Sequence, residues 1–196
     1  MTYNPKDRFF RKAKEEGYAA RSVYKLQEID QKFRVLKPGY LVLDLGAAPG
    51  SWSQWTSQKI GTKGRILGVD LSPVTVSVEN AVFIQADLRD LNLEQVFAEH
   101  GFEPRFDLVM SDMAPSTTGI KSVDQDRSLA LCELALDCSQ RFLKPQGNFV
   151  CKFFQSGDFG KLRADMKKQF ARVEALKPES TRSISKEIFL VGLGKK

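Results

Sequence analysis

From Tyr40 onward the chain alternates short apolar runs with longer stretches in which apolar residues return at helical spacing. Five runs, LVLDLG, RILGVDL, AVFIQAD, FDLVMSD and NFVCKFF, suit strands of a mainly parallel sheet covered on both faces. Between them the spacing predicts helices at about Ser51 to Lys59, Asn92 to His100 and Ser122 to Leu143. The last stops at Lys144-Pro145-Gln146-Gly147. A further helix is expected near Phe159 to Gln169. Two more β-like runs, ARVEAL and KEIFLVGLG, follow with a loop between them rather than a full helix, so they should pair antiparallel as a hairpin. The fold class read from this pattern is α/β. It has a seven-stranded, mostly parallel sheet with the last strand antiparallel and helices on both faces.

Ahead of the first strand the sequence predicts two helices, about Pro5 to Glu16 and Arg21 to Phe33, separated at Gly17-Tyr18. In the second, Val23, Leu26, Ile29, Asp30 and Phe33 keep roughly helical spacing, so one face can dock while Arg21 and Lys25 point elsewhere. With 196 residues and 42% hydrophobic content, the chain fits one core. Residues 1–37 are expected to form a basic helical extension and residues 38–196 the main domain of a single compact unit. No repeat or low-complexity segment is visible. No stretch has the apolar length of a bilayer crossing, so a soluble, cytoplasmic protein without membrane contact is expected.

Cys132, Cys138 and Cys151 include no CxxC pair, and the one histidine, His100, lies in a polar stretch far from all three. A metal site is therefore not expected, and neither is a Ser-His-Asp or Cys-His mechanism. The net charge of +6 is unevenly spread: residues 1–37 carry +5, residues 161–196 carry +6 and the middle carries −5. Basic flanks around an acidic centre suit a polyanion held by the two ends and a cationic or hydroxyl-rich ligand in the middle. Ordinary solvated helix faces would give the same charge runs.

The acidic centre contains VLDLGAAPGSWSQ, residues 42–54, where a buried strand runs through Gly46 and Gly50 into a helix. Glycines there let the backbone turn sharply and let a ligand approach its amides. Asp70 ends the next strand, where doubly wound folds place the carboxylate that binds a ribose diol. Asp87 ends the third, where a carboxylate can take the exocyclic amine of adenine. Helix capping is the alternative role for both acids, but two of them in register with the glycine turn favour ligand binding.

The string DLGAAPGSWSQ closely resembles the first cofactor motif of the FtsJ/RrmJ (RlmE) family of ribose methyltransferases. The resemblance continues through VDLSP, ADLRD, SDMAPSTTG and VCKFFQ over nearly the whole chain. The family commonly has Gly-Gly-Trp after the proline, where this chain has Gly50-Ser51-Trp52. The resemblance implies a Rossmann-like class I methyltransferase fold and S-adenosyl-L-methionine as cofactor, with S-adenosyl-L-homocysteine as product. It also implies cofactor contacts from Gly46, Gly50, Trp52, Asp70, Asp87 and Asp112.

Methyl transfer from a sulfonium needs an aligned nucleophile and removal of its proton, with no metal. Without a suitable histidine, the candidate base is Lys152, a charge at the carboxyl end of the otherwise apolar NFVCKFF; a lysine snorkelling from the sheet edge would look the same. Burial and a second cation both favour the neutral amine of such a lysine. Asp112, in SDMAPS, ends the neighbouring strand and could orient it. The resemblance adds a Lys-Asp-Lys-Glu tetrad that falls on Lys25, Asp112, Lys152 and Glu187. It implies that Lys25 assists Lys152 and holds the target ribose or phosphate, and that Glu187 fixes Lys25.

An RNA backbone would then be held by Lys6, Arg8, Arg11, Lys12, Arg21, Lys25 and Arg182, with Phe9, Phe10 and Tyr18 available for stacking. The short chain with a small basic extension resembles the bacterial type acting on a uridine of large-subunit (23S) ribosomal RNA in the assembled subunit, with a monomer as the default state. Transfer RNA and messenger caps are alternative substrates within the family. Two rivals stand outside this reading. Amino-group transfer to a base needs a second proline and an aromatic that Asp112-Met113-Ala114-Pro115 lacks. A non-catalytic RNA-binding ribosome-assembly factor would not depend on Lys152.

Overall fold

The computed structural model describes residues 7–116, 118–155 and 157–196. The five apolar runs become β1 (Leu41–Leu45), β2 (Arg65–Asp70), β3 (Ala81–Gln85), β4 (Phe106–Ser111) and β5 (Leu143–Phe154), and the C-terminal runs become β6 (Phe170–Leu176) and β7 (Glu187–Lys195). They form one seven-stranded sheet of order β3-β2-β1-β4-β5-β7-β6. Pairs among β1 to β5 are parallel, and β7 runs antiparallel to both β5 and β6. The expected hairpin is present, and its second strand inserts between β5 and β6, so β6 is the edge.

Side chains alternate along the central strands, and helices cover both faces of the sheet's centre. On one face Leu43, Leu45, Val109, Phe149 and Leu190 pack with residues of α4 (Leu93–Glu99), α5 (Lys121–Phe142) and α6 (Phe159–Gln169). On the other, Val42, Leu108, Met110, Val150 and Phe189 pack with Leu26 and Ile29 of α2 (Val23–Phe33) and with Trp52 and Ile60 of α3 (Ser51–Ile60). Lys152 follows the alternation of Val150 and so belongs to the α2 face.

The N-terminal helix α1 (Arg8–Glu15) starts at Asp7, whose carboxylate accepts from Phe10 N at 3.0 Å; Pro5 lies outside the described residues. It ends at Gly17, where a left-handed φ of 77° lets Gly17 N reach Lys14 O and Tyr18 N reach Ala13 O. Phe9 and Tyr18 then pack on Ala13, Val23 and Tyr24, while Phe10 stays exposed.

Residues 71–80, between β2 and β3, where no helix is expected, hold none, and their Val74 and Val76 close over Gly50. One detail differs from the pattern. The stop signal at Lys144 to Gly147 lies inside β5, because the register jumps from Phe106↔Leu143 to Leu108↔Asn148. Pro145 has no N–H for the ladder and Gln146 takes φ 65°, so these residues bulge out.

Candidate active site

A cavity of about 800 Å³ opens at the carboxyl ends of β1 to β4. Its wall includes Gly46 and Ala48 after β1, Asp70 at the end of β2, Asp87 after β3, and Asp112 and Met113 after β4. The parallel sheet brings these loops to one edge, as the spacing of the acids suggested. The cavity can hold a nucleoside-sized ligand.

Gly46 must be glycine for two reasons. Its φ is 80°, and an added Cβ would lie 2.8 Å from Met113 N and Cγ. The turn is braced by Asp70, whose carboxylate accepts from Ala48 N at 2.9 Å and Ser72 N at 2.7 Å. A carboxylate has about four acceptor positions, so Asp70 can still take two ribose hydroxyls. Asp87 is held by Arg89, whose hydrogen bonds to it, from side chain and then backbone, lower its pKa to about 2. Arg89 is largely exposed and shares the cavity wall, so it can swing away from an incoming amine. Neither acid caps a helix: no helix follows Asp70, and Asn92 caps α4 through Gln95 N at 3.1 Å.

Gly50 and Trp52 are not part of the cavity wall. Gly50 takes φ 113° at the start of α3 under Val74 and Val76. Trp52 is 3% exposed, its ring 5.7 Å from that of Phe189, and its Nε1 donates to Ser22 O at 2.9 Å. An indole with its N–H bonded and its ring packed ties α3 to α2 and β7.

Beside the cavity, Lys152 is 9% exposed. Its Nζ donates to the Asp112 carbonyl at 2.5 Å and stands 3.1 Å from Asp112 Oδ1. That carboxylate oxygen is buried at an angle that makes no hydrogen bond. Lys152 lies opposite Phe189 and Phe154 opposite Glu187 in the β5–β7 ladder. Cross-strand partners share a face, so Lys152 and Glu187 both point toward α2. From α2, Lys25 Nζ reaches Glu187 Oε1 at 2.5 Å and lies 5.9 Å from the Phe189 ring centre. Two largely buried ion pairs thus flank one aromatic ring on one side of the sheet. His100 is exposed at the end of α4, away from this cluster.

The basic candidates divide into two groups. Arg8, Arg11 and Lys12 are exposed on α1, Lys12 lying 3.7 Å from Glu16. Arg21 is mostly buried, paired with Asp7 and donating to Ser180 O, and Arg182 Nε stands 3.5 Å from the same Asp7. Lys6 lies outside the described residues. Among the described residues, no group of three His, Cys, Asp or Glu side chains gathers as a metal ion would require. No helix of theirs is long and apolar enough to cross a membrane.

Sequence reasoning passed over Met113, which presses on Gly46, and Arg127, which lines the cavity and donates to Ser116 O at 3.4 Å. Met113 lies inside the SDMAPSTTG motif, where Asp112 drew the attention, and Arg127 has no periodicity or motif to mark it. It also passed over Glu28, although its position three residues after Lys25 puts the two on one helix side.

The model of the family described as FtsJ-like methyltransferase matches residues 18–195. A ribosomal RNA large subunit methyltransferase E from Bdellovibrio bacteriovorus is 72% identical over 196 residues, all of both chains. One of the same description from Desulfatibacillum aliphaticivorans is 48% identical, covering 97% of this chain and 91% of that one. A Plasmodium falciparum structure described as a ribosomal RNA methyltransferase superposes with TM-score 0.77 at 27% identity, over 91% of this chain and 98% of that one. Family model, full-length relatives and fold agree with the cavity and its flanking lysine: the chain belongs to the FtsJ-like methyltransferases.

Proposed function

We propose that this methyltransferase carries the methyl group of S-adenosyl-L-methionine to a ribose 2′-hydroxyl of RNA, a uridine of 23S ribosomal RNA in the large subunit. The observation that carries this reading is the buried Lys152 held against Asp112 where the cavity meets the α2 face. The substrate assignment is supported by the relatives described as ribosomal RNA large subunit methyltransferases, one of them 72% identical over its whole length. A cytoplasmic monomer fits such a substrate.

The cofactor, when bound, supplies a methyl on a positively charged sulfur with a neutral leaving group. The residues present fit it: Asp70 would accept from the ribose diol, Asp87 from the adenine amine, and the Gly46 turn leaves room for the ligand to approach the backbone. Asp112, in the cavity wall and paired with Lys152, would orient the methyl-bearing end of the cofactor. Gly50 and Trp52 support the turn from below.

Lys152 would take the 2′-hydroxyl proton as the oxygen bonds the methyl carbon and the methyl–sulfur bond breaks. The Asp112 carbonyl fixes where its amine points. Lys25 supplies positive charge toward the adjacent phosphate or ribose, and Glu187 limits its reach. The exposed arginines of α1 hold the backbone beyond, and Arg21 and Arg182 shape the entrance through Asp7. Since no histidine stands near, proton removal falls to the lysine.

The test is transfer of labelled methyl to total RNA and to ribosomal subunits by wild type and Lys152→Ala, with product located by resistance to alkaline cleavage. Alkali-resistant label in large subunits, lost at least a hundredfold in the variant, is expected from removal of a general base. Alkali-labile label would move the reading to base methylation. Label that survives the substitution would remove Lys152 from the mechanism.

A further inference from the structure

We infer that Glu28 is a positioning residue for the Lys25–Glu187 pair, acting through the ten-residue loop 177–186 that joins β6 to β7. This rests on the catalytic reading of that pair given above. Among the described residues, no side chain of opposite charge forms an ion pair with Glu28. It accepts two consecutive backbone amides, Glu179 N on Oε2 at 2.6 Å and Ser180 N on Oε1 at 2.9 Å. Bonds from two amides to one carboxylate are charge-assisted and fix the loop in direction as well as distance.

The rest of the loop folds on itself. Thr181 N bonds Pro178 O at 3.0 Å, Ser185 N bonds Arg182 O at 2.9 Å, and Lys177 Nζ donates to Ser185 O at 3.1 Å. Its first anchor on α2 is Glu28. Arg21, just before α2, adds a second through the Ser180 carbonyl. The loop then enters β7 at Glu187, whose carboxylate returns to α2 at Lys25. Residues three apart on a helix lie on one side, so α2 grips both ends of the loop, at Glu179–Ser180 and at Glu187. The same grip buries Ser180 fully and sets Arg182 beside Asp7. Glu187 sits at the last pair of the β5 ladder, where its backbone also donates to Ser185 Oγ at 3.2 Å and Gln155 N bonds Lys186 O at 3.1 Å, so the set of the loop decides how its carboxylate meets Lys25.

The experiment compares Glu28→Ala and the milder Glu28→Asp, which keeps the charge but is one methylene short of both amides. Readouts are kcat and KM on large ribosomal subunits, S-adenosyl-L-homocysteine affinity by calorimetry, and a cycle with Glu187→Gln. Expected for Glu28→Ala is a fall in kcat on the order of tenfold, since small misplacements of reacting groups cost that much or more. Homocysteine-product affinity stays within about twofold, as the cavity is walled by other elements. In the Glu187→Gln background the second substitution adds little, because both act on one contact. Independent, multiplying losses, or wild-type kcat in Glu28→Ala, would overturn the inference while leaving the pair's own role intact. Wild-type rates in both Lys25→Ala and Glu187→Gln would instead overturn the reading of the pair, and this inference with it.

Discussion

Asp44 stands in the middle of β1 with no exposed surface, on the face that α3 covers. Ser53 donates to its Oδ2 at 2.6 Å, and its Oδ1 has no hydrogen-bond partner. Burial pushes its pKa up to about 7, with Asp112 and Asp70 adding to the rise and Ser53 opposing it. The folded state therefore keeps a proton that the unfolded chain gives up at ordinary carboxylate pH. The contribution of this group to stability is greatest below about pH 4, falls as pH rises toward 7, and changes no further above that. The loss is on the order of 2 to 4 kcal/mol. Urea midpoints measured from pH 5 to pH 8 should decline in the wild type and lose most of that slope in Asp44→Asn. An unchanged slope in the variant would place the titration elsewhere, Asp30 being the other carboxyl that burial raises. Asp44 was visible in the sequence as an acid inside an apolar run, but its proton depends on burial and on Asp112 and Asp70, two acids distant in the chain that only folding brings near.

Among the elements, α3 shows how a helix is held in place by side chains outside it. Asn80, just ahead of β3, accepts from Ser57 Oγ at 2.7 Å and donates to Gly61 O at 2.9 Å and Gly64 O at 3.0 Å. One amide thus ties the end of α3, the turn after it and the entry to β3. Asn80→Ala should lower unfolding free energy by about 1 to 3 kcal/mol, because it leaves a buried-side carbonyl and a hydroxyl unmatched. Chemical denaturation checks this, and a change below about 0.5 kcal/mol would mean that water replaces the amide. The helix itself was legible from its glycine start and its spacing. What covers Gly50 at its start was not legible: Val74 and Val76 pack over it, a contact between segments separated in the chain.

For the whole molecule, the basic ends are separated in sequence but meet in space around Asp7, Arg21 and Arg182. That meeting changes which arginines are free. Arg8 and Arg11 are exposed and should act as phosphate contacts, whereas Arg21 is spent largely on holding the loop after β6. Binding of large ribosomal subunits measured against salt should lose about 0.7 to 0.9 in log–log slope for each phosphate contact removed. Arg8→Ala with Arg11→Ala is therefore expected to flatten the slope by up to about 1.8, with no change in the order of preferred RNAs. A slope identical to wild type would take α1 out of the RNA interface.

The sheet, its parallel centre and the acids at its carboxyl edge were determined by the sequence itself. Apolar runs of strand length with helical spacing between them have few ways to bury both faces. The Lys152–Asp112 pairing was nearly as legible, because neighbouring strand ends bring their last residues together. Lys25 and Glu187 could be named only by resemblance, since one is a helix lysine and the other an edge-strand acid until β7 inserts between β5 and β6. Trp52 and Gly50 look like cofactor residues in a motif, and the tertiary structure sets them under α2 and the 71–80 loop. The physical reason is common to all four: periodicity along the chain reports which face is buried, and only packing decides what buries it.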